Sequence, residues 1–144
     1  MTEQDTLKLL RECDAGVKMG VRSIEDVLKY VESPELERRL TDCKEEHEGL
    51  GREIHSQLTK FHDEGKNPNP IATGMSWMKT NMKLAIKESD KTVAELMTDG
   101  CNMGVKSLSS YLNEYKSADD GSKDIAKRLI GIESKLAEDI RSYL

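Results

Sequence analysis

Between residues 4 and 32, Leu7, Leu10, Asp14, Val17, Val21, Ile24, Leu28 and Val31 step by three and four without interruption. That spacing predicts a long helix with one stripe turned toward a bundle core. Ser33-Pro34 then predicts a break, an N-cap and a first-turn proline that open a second helix. The stripe resumes as Leu36, Leu40, Cys43, His47, Leu50, Ile54, Leu58 and Phe61. A first helical hairpin over 4–64 follows. Gly65-Lys66-Asn67-Pro68-Asn69-Pro70 reads as a loop.

The pattern returns in the second half. A third helix over roughly 88–116 carries Ala94, Cys101, Val105, Leu108, Leu112 and Tyr115. Ser117 to Ser122 is a polar turn. A fourth helix over 123–143 carries Ile125, Leu129, Ile132, Leu136, Ile140 and Tyr143, which completes a second hairpin over 88–144. Between the hairpins lies a connection over 65–87. Within it Ile71, Met75, Met78, Met82 and Ala85/Ile86 share one helical face, with Trp77 at its edge. An amphipathic helix there would advance about 25 Å, enough to carry the chain from one end of the bundle to the other. The second and third helices would then run parallel, whereas an up-down-up-down bundle needs only a short loop.

The two hairpins share wording. Residues 16–24 read GVKMGVRSI and residues 100–108 read GCNMGVKSL, 84 positions apart. Gly16, Met19, Gly20, Val21 and Ser23 recur as Gly100, Met103, Gly104, Val105 and Ser107. The ending Asp139-Ile140-Arg141-Ser142-Tyr143-Leu144 echoes Glu53 to Leu58, 86 positions earlier. The expectation is one domain over 1–144, an all-α, internally duplicated four-helix bundle with an extra crossover helix. Interior helical glycine is worse than alanine by about 0.5–1 kcal/mol, so the four repeated glycines need a compensating reason. The expected one is close approach of the first and third helices around a pseudo-twofold axis; the alternative is a pocket for a ligand.

Composition narrows the class. Charged residues make up 34% of the 144 and aromatic residues 4%, which suits long helices better than a sandwich of strands. A net charge of −5 argues against nucleic acid or an anionic membrane as main partner. No apolar run approaches a membrane span, and the polar, acidic start is unlike a signal peptide. Cys13, Cys43 and Cys101, an odd number without a C-x-x-C, suggest reduced thiols in a cytoplasmic protein. Cys43 and Cys101 fall on the stripes. Cys13 falls off its stripe and is expected to be the accessible thiol.

A duplicated helical hairpin with a long middle connection resembles the ferritin-like superfamily. The phrases Met19 to Ile24, Ser76 to Lys83 and Asn102 to Val105 also resemble a group of short bacterial ferritin-like proteins. The narrower resemblance implies no activity. The superfamily implies a di-iron or di-manganese site, built from a carboxylate on each of two helices and Glu-x-x-His on each of the other two. No Glu-x-x-His occurs in this chain. Asp14 matches Thr98 across the repeat, and His47 matches Glu133. A dinuclear site is therefore not expected. What remains is a degenerate site for a single divalent metal ion using Asp14, Glu46, His47 and Glu133. Counted from the Ser33 turn, Asp14 and His47 differ by about 7 Å in height, which strains joint ligation. Otherwise Asp14 lies near a wet end or bonds to Thr98, and His47 is hydrogen-bonded inside the core. His55 and His62 read as a solvated stripe.

No nucleophile, phosphate-binding loop or catalytic triad pattern appears, so no enzyme and no cofactor is expected. The Met75, Trp77, Met78 and Met82 face is the candidate interface, for self-association or for another protein. The expectation is a structural or protein-interaction module, with a degenerate metal binder as the alternative. A small-ligand carrier using the glycine-lined contact is a third reading.

Overall fold

The computed structural model describes residues 2–68 and 89–144. Among these residues it is all helical: α1 (Thr2–Leu28), α2 (Pro34–Thr59), α3 (Ser89–Glu114), α4 (Asp120–Asp139) and a 3-10 turn, Arg141–Tyr143. The expected crossover helix lies outside the described residues, as do Met75, Trp77, Met78 and Met82.

Local chemistry sets the helix ends. Ser33 has extended backbone angles, and its hydroxyl accepts from the Leu36 N–H at 3.3 Å, with Pro34 in the first turn. Asp119 does the same for α4, accepting from the Ser122 N–H at 2.8 Å. α2 stops at Thr59 rather than near residue 64. The chain there turns through His62 and Gly65, at φ 54° and 93°.

Cross-links between the ends give the helix directions. The Asp90 carboxylate, in the first turn of α3, accepts from the Glu32 and Ser33 N–H groups at 2.8 and 3.0 Å. Ser33 also bonds the Tyr143 hydroxyl at 3.2 Å. The start of α3 and the end of the chain therefore meet the α1–α2 turn. At the opposite end, Asp5 and Thr6 of α1 accept from the Ser117 and Asp119 N–H groups of the α3–α4 turn. α2 and α3 thus point the same way, antiparallel to α1 and α4. The closest packing is α1 on α2 and α3 on α4.

The stripes bury as spaced. Leu36, Leu40, Cys43, His47, Leu50, Ile54 and Leu58 are all buried on α2. Each buried leucine or isoleucine contributes about 1.5–3 kcal/mol. The core falls into two apolar halves. One gathers Ile24, Val27, Leu36, Leu40, Val93 and Leu136; the other gathers Leu9, Leu10, Ile54, Leu58, Ile125 and Leu129. Cys13 belongs to the second half and is fully buried, so the expectation of an accessible thiol is corrected. The apolar stripe of α1 is wide enough to include Leu9, Cys13 and Val17, a second row spaced by four.

Candidate functional site

The two halves of the core meet at a polar waist. His47 of α2 and Glu133 of α4 are buried there, and His47 Nε2 lies 3.1 Å from Glu133 Oε1. His47 Nδ1 lies 2.8 Å from the Cys43 carbonyl oxygen. A carbonyl can only accept, so Nδ1 carries a proton, and Nε2–H donates to Glu133 in the doubly protonated ring. Burial opposes the imidazolium, but hydrogen bonds to Cys43 and Glu133 and the carboxylate's charge outweigh it. The pKa of His47 rises from 6.5 to about 10. The waist therefore holds a buried imidazolium–carboxylate pair. Burial, then the nearby Glu133 carboxylate, pushes the Cys101 thiol pKa up strongly. It stays a thiol and is no nucleophile at neutral pH. Cys13 is raised to about 12, by burial first and then by Glu12 and Asp14.

Two of the repeated glycines make room for this pair. A Cβ on Gly20 would sit 2.5 Å from His47 Nε2. A Cβ on Gly104 would sit 3.3 Å from the Glu133 carboxyl group. The histidine thus rests on a glycine of α1 and the glutamate on a glycine of α3.

α1 and α3 pack against each other as expected, but at the repeated glycines the space between them stays open. Gly16, Gly20, Gly100 and Gly104 line a cavity of about 250 Å³ between the two helices. Among the described residues nothing lies within 4 Å of a Cβ built on Gly100. The close approaches at Gly20 and Gly104 are made by side chains from α2 and α4, not by the facing helix. Leu96, Met97, Cys101, Leu108 and Glu133 are the buried α3 and α4 residues on the cavity wall. Glu12 and Lys66, themselves ion-paired, and Tyr111 also line it.

Of the four expected metal residues, only His47 and Glu133 come together. Asp14 accepts from the Lys66 N–H at 2.9 Å and pairs with Lys18 at 2.8 Å, so it braces the chain after α2 against α1. It does not bond to Thr98, whose hydroxyl has no hydrogen-bond partner among the described residues. Glu46 is exposed and lines a separate 60 Å³ groove between α2 and α4 with Arg39, Asp42 and Lys135. No group of three or more His, Cys, Asp or Glu among the described residues is placed to hold a metal ion. His55 and His62 are exposed.

The alignment of His47 with Glu133 across the repeat was the signal for the waist. The cavity had no comparable signal beyond the glycines themselves. Comparison with protein-family models, curated proteins and solved structures returns no match. The site's own geometry is therefore what carries a functional reading. Among the described residues no helix is long and apolar enough to cross a membrane.

Proposed function

We propose that this chain is a non-catalytic binding protein, whose α1–α3 cavity holds one small, largely apolar molecule. The observation that carries this reading is the glycine-lined cavity of about 250 Å³. An apolar cavity of about 150 Å³ suffices for benzene, so this one suits a molecule of about ten non-hydrogen atoms. The state of the two reactive groups described on the cavity wall favours binding over turnover. Cys101 is held protonated, and the Glu133 carboxylate is already engaged by His47.

The scaffold reading is an internally duplicated bundle of ferritin-like topology. Two observations support it. The parallel course of α2 and α3 requires a long connection, as in ferritin-like bundles. The Gly20–His47 contact is also matched, 84 and 86 positions on, by the Gly104–Glu133 contact. On this reading the ancestral metal positions have become a structural ion pair, and the space beside it has become the binding site.

Calorimetric titration of the full chain with naphthalene tests the binding. One equivalent should bind to the wild type. Gly100→Leu should abolish binding, because its side chain enters open cavity and meets no backbone. Equal binding by wild type and variant, or binding by neither, overturns the reading.

A further inference from the structure

Resting on the cavity reading above, we propose that the preferred ligand is a compact aromatic molecule with one N–H donor, and that Glu133 receives it. Of the buried residues described on the cavity wall, Glu133 alone is charged. Its carboxylate offers about four lone-pair sites. His47 Nε2–H takes one on Oε1, at 3.1 Å. Acceptor capacity therefore remains, and Gly104 keeps it open: no side chain stands between α3 and the carboxyl group, which lies 3.3 Å from where a Cβ would be.

The other buried wall residues described are Ala15, Leu96, Met97, Leu108 and the Cys101 thiol, which give a flat ring apolar and polarisable contacts. A ligand with an N–H can satisfy Glu133 and bury its ring in one pose. A ligand that only accepts hydrogen bonds sets its lone pairs against the carboxylate, or leaves the carboxylate's remaining acceptor sites unfilled and desolvated. An anionic ligand meets like charge. The site therefore selects by donor character as well as by size.

Indole and benzofuran make the test, because they share shape and size and differ in N–H against ring oxygen. Both have nine non-hydrogen atoms, within the bound of about ten set by the cavity. Each is titrated calorimetrically into the full wild-type chain at pH 7, with naphthalene as the reference apolar probe. Indole is expected to bind with one-to-one stoichiometry and at least about tenfold more tightly than benzofuran. Equal affinities for the two, tighter benzofuran, or binding of naphthalene but not indole overturns the donor assignment and leaves the cavity reading standing. Binding of none of the three overturns the cavity reading and the assignment together. The comparison needs no variant, so folding defects do not enter it.

Discussion

Gly20 and Gly100 are both glycines inside a helix, yet alanine at each should act in opposite directions. At Gly100 a methyl group meets nothing within 4 Å among the described residues. Gly100→Ala gains helix propensity alone and should stabilise by about 0.5–1 kcal/mol. At Gly20 the methyl group would lie 2.5 Å from the His47 ring. Gly20→Ala must displace a buried, charged side chain and should destabilise by about 1–3 kcal/mol despite the same propensity gain. Urea midpoints of the two variants check this. His47 supplies a second prediction. Its folded pKa, about 10, lies above its ordinary value of 6.5. Its contribution is therefore complete below pH 6.5 and is lost as pH rises toward 10. Between those values the unfolding free energy should fall by up to about 1.4 kcal/mol per pH unit, the slope for one proton. The raised Cys13 and Cys101 pKa values act in the same direction only near and above the ordinary thiol value of 9.0. The difference between wild type and His47→Gln from pH 7 to 8.5 therefore isolates the imidazole; a flat difference refutes the assignment. In the sequence, the inward position of His47 was legible because helical spacing fixes direction, and Glu133 was reached through its match to His47 across the repeat. The role of Gly20 was not, because spacing gives the face a residue occupies and not how far a neighbour's side chain reaches across it. Cys13 was misplaced for a related reason: a narrow seam was drawn on a helix that buries a broad face.

At the scale of the element, the hairpins were the most legible part of the chain. The Ser33 cap and Pro34 start were visible because capping uses a specific side-chain type next to a residue with no N–H to lose. Helix ends governed by longer-range contacts were less visible. α1 closes at Leu28, four residues before the stripe suggested, because Tyr30 and Val31 turn back onto Val27 and Leu28. Asp90 then takes the Glu32 and Ser33 N–H groups from 58 and 57 residues away. No local pattern announces such a partner. Its carboxylate also lies beside the positive end of α2, where a negative charge is favoured. Asp90→Ala should therefore lower stability by about 1–2 kcal/mol, through two lost charge-assisted hydrogen bonds partly replaced by water. The denaturant midpoint should fall with an unchanged m-value, since the exposed surface on unfolding is the same. A midpoint within error of the wild type would mean that the Asp90 contacts contribute nothing net.

For the whole molecule, the decisive property is that α2 and α3 run in the same direction. The long connection over 65–87 implied this, and the cross-links of Asp90 to Ser33 and of Asp5 to Ser117 bring the corresponding ends together. Parallel helices consecutive in sequence force the chain to travel the length of the bundle between them, and here α1 faces α3 across the cavity. Nitroxide pairs measure this arrangement directly. Glu37 lies near the start of α2, and Lys91 and Asn113 lie near the start and end of α3; all three are exposed. From Lys91 to Asn113 the helix advances about 33 Å. With Cys13, Cys43 and Cys101 replaced by alanine, labels at Glu37 and Lys91 should give the short distance of one bundle end. Labels at Glu37 and Asn113 should give a distance of at least about 30 Å, set by that helical advance. The reverse order would make α2 and α3 antiparallel. It would remove the need for a long connection, and with it the main support for ferritin-like topology. If the distances hold while naphthalene fails to bind, the scaffold reading stands and the cavity reading falls. The two proposals are thus separable at the scale on which each is made.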